Sequence, residues 1–324
     1  MKKMEATAKA PANIAFIKYW GKKDEKLRLP ANSSISMNLS NTFTVTSVEF
    51  NPRLTHDELI INGSKSVGDE IKRVSNHLNL IRNLSKVKDF ARVESKNNFP
   101  KGSGIASSAS GFAALTVAAS GAAGLRLSEK ELSVLARLGS GSACRSIPDG
   151  FVEWKSGDTS EESYAYSLFA PDYWRICDLI AIVGENSKKV SSTQGHAIAE
   201  TSPFYKTRIA GMKNKITEIK SAMTNKDFTK FGEILEAEAV NMHAVMMTSV
   251  PPLYYWLPET LKVIAQVVGL RSGGTECYFT IDAGPNVHVI CDEADADKIK
   301  SRLIGITGVK QILVNTPAQG AKII

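Results

Sequence analysis

Cysteine is scarce in this chain. Its 324 residues hold four, Cys144, Cys177, Cys277 and Cys291, and no two form a CxxC pair. That spacing rules out a zinc ribbon or a vicinal dithiol redox motif, and the five histidines form no HExxH. Buried free thiols are the expectation. One pairing stands as an alternative, because Cys277 and Cys291 lie at equal spacing either side of Gly284, where a hairpin tip is expected. Long apolar runs are missing too: no stretch reaches the roughly 18–20 residues of a membrane helix. The start, "MKKMEATAKAPANIAF", lacks the continuous apolar segment of a secretion signal. A soluble, cytoplasmic protein with no membrane partner is expected. Internal repeats, heptads and low-complexity tails are likewise missing, so a solenoid or coiled coil is not.

What is present suits a large globular protein. Hydrophobic residues make up 43% of the chain, enough to fill more than one core at this length. The net charge of +7 is spread along the sequence, which suits a phosphorylated small molecule as well as a nucleic acid. Period-2 alternation in "SISMNLSNTFTVTSVEF" and "DELIING" reads as strands. Ile71, Val74, Leu78 and Ile81 recur at helical spacing. Strands and helices then mix to the end, giving an α+β protein of two lobes. The boundary falls near "APDYWR", dividing 1–172 from 173–324.

One stretch poses a question. "KGSGIASSASGFAAL", Lys101 to Leu115, is nearly all glycine, serine and alanine before a helix. Small side chains leave a helix N-terminus open to an anion, and they also let helices pack closely without any ligand. Three other stretches share the first reading. "NIAFIKYWGKKDEKLRLPANSSIS" gathers cations and aromatics beside a strand, and "GSGSACRS" sets Arg145 among small residues, a fit for a carboxylate or phosphate. "TIDAGPN" puts Asp282 at a strand end, where a carboxylate can serve as a base. Taken together they describe an anion site with one carboxylate.

These segments, with "VSSTQGHAIAETSPFY", resemble in order the motifs of the diphosphomevalonate decarboxylase family, within the GHMP kinase superfamily. The resemblance implies a GHMP-kinase-like fold: an N-terminal lobe of ribosomal-protein type, a ferredoxin-like C-terminal lobe, and the active site in the cleft between. It implies ATP-dependent decarboxylation of (R)-mevalonate 5-diphosphate, with Mg2+, by a homodimer that binds no nucleic acid. Gly102, Ser103, Gly104, Ala106, Ser107, Ser108 and Ser110 would wrap the ATP phosphates, with Ser107 or Ser108 reaching the metal. Tyr19, Lys22 and Arg73 would hold the substrate diphosphate, helped by Ser140 and Ser142. Arg145 would grip the C1 carboxylate, Ser192 would add a contact from the second lobe, and Asn13 and Lys18 would orient the substrate. Asp282 would be the general base.

The chain departs from the family pattern at Lys101 and Ser103, and at Pro148-Asp149, where Asp149 is placed to orient Arg145. Relatives in the same fold act on mevalonate 5-phosphate or phosphorylate mevalonate without decarboxylation. An RNA-binding module is a further alternative from another class, but it would have no use for an aspartate and arginine paired in a small cleft.

Overall fold

The computed structural model describes residues 4–99, 107–184 and 192–324. The chain opens with β1 (Met4–Ile17), a short hairpin of β2 (Lys22–Asp24) and β3 (Leu29–Pro30), and the long strand β4 (Ser34–Asn51). Strands β5 (Glu58–Ile61) and β6 (Ser64–Lys65) lead into helix α1 (Asp69–Ser85), then β7 (Phe90–Asn97), α2 (Ser107–Ala122) and α3 (Glu129–Gly139). A 3-10 turn at Gly141–Ser146 precedes β8 (Phe151–Trp154) and β9 (Ala165–Phe169). The second half runs β10 (Ile176–Ile182), α4 (Ser192–Ile198), α5 (Tyr205–Asn225), α6 (Phe228–Thr248) and α7 (Pro258–Ser272). It ends with β11 (Cys277–Thr280), β12 (Val287–Asp292), α8 (Ala296–Ile304), β13 (Gln311–Asn315) and β14 (Lys322–Ile323).

An eight-stranded sheet forms the first lobe and a four-stranded antiparallel sheet, ordered β11-β12-β10-β13, forms the second. In β4 the outer half alternates buried and part-exposed residues, as a strand with one wet face must, while the half from Ser34 to Leu39 is buried throughout. That buried half meets the second lobe. Ile35, Met37 and Leu39 share one apolar cluster with Ile176, Ile180, Met212, Met223 and Phe231, so the lobes are joined by a continuous core. The closing residues cross back: Leu39 bridges Pro317, and β14 adds to the first sheet beside β1. Segment 173–324 therefore contributes to both sheets.

The small-residue helix α2 is buried on nearly every side, with Ala109, Ala113, Ala114 and Ala118 fully covered against the first sheet. The packing reading of the opening stretch thus holds for the helix body. In the second sheet Cys277 lies opposite Cys291, the register expected from their spacing about Gly284, and Cys177 lies opposite Cys291 on its other side. All four cysteines are free. Burial pushes the Cys277 thiol up to about 11, so the thiolate that would start an exchange is scarce.

Candidate active site

Strand β1 delivers Lys18 into the cleft, and the β11–β12 turn delivers Asp282 to meet it. Lys18 Nζ lies 2.6 Å from Asp282 Oδ1, with the lysine 1% and the aspartate 25% exposed. Burial acts to raise the Asp282 pKa, but the charges of Lys18, His288 and Arg145 outweigh it and hold the carboxyl below its ordinary range. Burial also draws the Lys18 ammonium below its usual value. The turn is fixed by its main chain: Asp282 O accepts from His243 Nε2 at 3.2 Å and from Gly284 N–H at 2.7 Å. The second lobe's helices hold Lys18 from behind. Its N–H reaches Glu238 Oε1 at 3.3 Å, and its carbonyl accepts from Arg208 Nη2 and Asn32 Nδ2 at 3.0 Å each. Glu238 pairs with fully buried Arg208 and with Lys215.

Arg145 lies on the 3-10 turn, 3% exposed. Nη1 donates to Ser34 Oγ at 2.7 Å and Nη2 to Asn13 Oδ1 at 3.2 Å, while Nε has no partner among the described residues. Asn13 is held in turn by Ser146 Oγ at 2.8 Å and the Ser142 carbonyl at 3.2 Å. No carboxylate among the described residues comes within ion-pair distance of this guanidinium. A buried cation hydrogen-bonded to neutral oxygens alone is costly, and an anionic ligand would offset that cost. Asp149 does not orient it, because the Asp149 carboxylate is spent on Gly320 N–H at 2.6 Å.

The turn after Lys18 carries Tyr19 between Trp154 and His196, ring centroids 4.6 and 4.1 Å away. Gly141 permits this approach, since a Cβ there would lie 2.8 Å from the Tyr19 ring. Tyr19 Oη is buried without a hydrogen-bond partner among the described residues. His196 accepts Gly21 N–H on Nδ1 at 2.9 Å, which leaves its proton on Nε2, and burial keeps the ring neutral. Lys22 is ion-paired with Glu25. Arg73 donates to Gly139 O at 3.4 Å and stacks over Phe112. Ser140 Oγ bonds Ser108 Oγ at 3.2 Å, which ties the 3-10 turn to the start of α2. Ser192 opens α4 and is half-buried.

A cavity of about 200 Å³ adjoins this wall, lined by Arg73, Ser107, Ser108 and the apolar Ile61, Val74 and Phe112. Ser110 faces elsewhere: its hydroxyl is fully buried on Thr44 Oγ at 2.7 Å. Gly102, Ser103, Gly104, Ala106 and Lys101 lie outside the described residues. Among the described residues no group of three His, Cys, Asp or Glu side chains could cage a metal. A magnesium ion carried in on phosphate oxygens, with a hydroxyl from Ser107 or Ser108, fits what is present.

His243, His196, Glu238 and Arg208 are absent from the sequence-based set. Their signal is faint, since each sits inside an ordinary helical pattern and acquires its role only from a partner far along the chain.

The two-lobed, GHMP-kinase-like fold and a cleft lined with cations around one carboxylate define an enzyme for a small polyanion. Residues 10–165 match the diphosphomevalonate decarboxylase-like N-terminal domain, and residues 178–319 match the mevalonate 5-diphosphate decarboxylase C-terminal domain. The chain is 36% identical to diphosphomevalonate decarboxylase mvd1 of Aspergillus fumigatus, over 94% of this chain and 80% of that protein. Its fold matches mevalonate diphosphate decarboxylase from Staphylococcus aureus with a TM-score of 0.94 at 40% identity, covering 99% and 98% of the two chains. It also matches MDDEF, solved in complex with MVAPP, AMPPCP and magnesium, with a TM-score of 0.94 at 39% identity over 99% of both chains. The chain belongs to the diphosphomevalonate decarboxylase family.

Proposed function

We propose that this cleft carries out the ATP-dependent decarboxylation of (R)-mevalonate 5-diphosphate to isopentenyl diphosphate, ADP, phosphate and CO2. The observation that carries this reading is the Lys18–Asp282 pair beside Arg145, whose guanidinium donates to Ser34 and Asn13 and has no carboxylate within ion-pair distance among the described residues. Arg145 takes the C1 carboxylate and, with Asn13, turns the 3-hydroxyl toward Asp282. That oxygen forms its bond to the γ-phosphorus as the bond to the β-phosphate oxygen breaks, and Asp282 accepts the proton. A carboxyl with a lowered pKa is a weak base, so it acts by being ionised and in place. The C3–O bond then breaks with its electron pair leaving on phosphate. The C1–C2 pair becomes the C2=C3 double bond as CO2 departs, while the departing phosphate and the C1 carboxylate stabilise positive charge developing at C3.

Tyr19, Lys22, Arg73, Ser140 and Ser142 hold the diphosphate, with Ser192 closing from the second lobe. Lys22 exchanges Glu25 for a phosphate. Ser107 and Ser108, at the N-terminus of α2, hold the ATP phosphates, and the neighbouring cavity takes the nucleoside. Magnesium, bound through those phosphates, neutralises charge on the transferred group. Within the same reading the protein works as a cytoplasmic homodimer, which sedimentation of the purified chain tests.

Asp282→Asn is the test of the site. It should remove ADP formation and CO2 release together, by several orders of magnitude at about 1.4 kcal/mol per factor of ten. Near-normal turnover by the folded variant would refute the assignment.

A further inference from the structure

Arg28 sits in the left-handed backbone region, φ 53, at the end of the β2–β3 turn. A non-glycine residue there costs about 1–3 kcal/mol and persists where its surroundings impose it. Its side chain is anchored: Nε donates to Leu138 O at 3.0 Å. The next carbonyl, Gly139 O, accepts from Arg73 Nη2 at 3.4 Å. Two guanidinia from distant parts of the sequence thus converge on consecutive carbonyls at the end of α3, immediately before Ser140. Neither has a carboxylate within ion-pair distance among the described residues.

A helix C-terminus attracts one cation, but a second at the same place meets the repulsion of the first. That repulsion is felt: Arg73 is drawn below the ordinary arginine value by burial first and by the charge of Arg28 next. After burial itself, Arg28 is also the leading influence on the Tyr19 phenol, whose buried oxygen has no hydrogen-bond partner among the described residues. Each arginine donates one side-chain hydrogen bond to α3, and the remaining donors of part-exposed Arg28 stay open to solvent or to a ligand. A terminal phosphate, close to doubly charged at neutral pH, supplies enough acceptor oxygens for two such forks.

We propose that Arg28 is a specificity-determining residue that clamps, together with Arg73, the terminal phosphate of a 5-diphosphate. This deepens the reading of the cleft given above and rests on it. A monophosphate would reach Tyr19 and Ser140 without engaging Arg28, so the clamp favours the diphosphate over the monophosphate.

The experiment compares the wild type with Arg28→Gln and Arg28→Lys on mevalonate 5-diphosphate and 5-phosphate, with thermal unfolding and binding of inorganic pyrophosphate and orthophosphate by calorimetry. In Arg28→Gln the KM for the diphosphate should rise about ten- to a hundredfold, the loss of charge-assisted hydrogen bonds, with the smaller change on the monophosphate. Arg28→Lys should recover part of the loss. A pure helix-capping role would instead lower the melting temperature and move both substrates alike, and that result, or an unchanged diphosphate KM, overturns the proposal. If the wild type turns over neither ester, the reading of the cleft fails. The clamp is then judged by whether wild-type preference for pyrophosphate over phosphate is lost in Arg28→Gln, and a preference that survives counts against it.

Discussion

Lys18 and Asp282 form a close ion pair in the cleft, and on the proposed reading their titration gives the reaction a pH signature. A lysine whose pKa is lowered keeps its proton only to a lower pH than the usual 10.5. Its support for the ionised Asp282 is therefore complete at neutral pH and is lost as pH rises through the lowered value. The alkaline limb of kcat/KM should begin below the ordinary lysine range. In Lys18→Arg, whose charge cannot be titrated away, that limb should vanish from the profile even if the rate falls. A limb unchanged in the variant would assign it to another group. Asp282, Arg145 and Lys18 were legible as candidates because their flanking motifs are distinctive, and the structure brings the three together. His243 was not, since a histidine on a helix carries no mark of the carbonyl it will meet, and Asp149 misled because closeness in sequence to Arg145 is not closeness in space.

Helices α5 and α6 act on the site without entering it. Glu238 is fully buried and answers three groups, the Lys18 N–H, Arg208 and Lys215. Replacing it with glutamine leaves Arg208 as a buried cation without a counter-charge. Glu238→Gln should cost on the order of 3–5 kcal/mol in denaturant unfolding, and Arg208→Met in the same background should restore part of it. A loss under about 0.5 kcal/mol would show that the pair does not brace Lys18. Element type was readable almost throughout, because alternation in β4 and 3.6-residue periodicity in α1 follow from which face is buried. The division of labour within the Gly/Ser/Ala stretch was not. Ser107 and Ser108 line the cavity, whereas Ser110, one helical step further on, turns to Thr44.

For the whole molecule, the two lobes are one mechanical unit joined by a shared apolar core and a returning C-terminal strand. Sequence periodicity marks which stretches can form strands but not that Ile35 and Ile180 will share a cluster, since that depends on the packing of elements far apart in the chain. The cleft lies across this join, with Lys18 from one lobe on Asp282 from the other, so on the proposed reading turnover depends on their relative placement. The most direct test measures ADP and CO2 together while the enzyme is offered mevalonate, its 5-phosphate and its 5-diphosphate side by side. The account predicts equal amounts of ADP and CO2, with the highest kcat/KM on the diphosphate. ADP without CO2, or activity confined to the monophosphate, would contradict it.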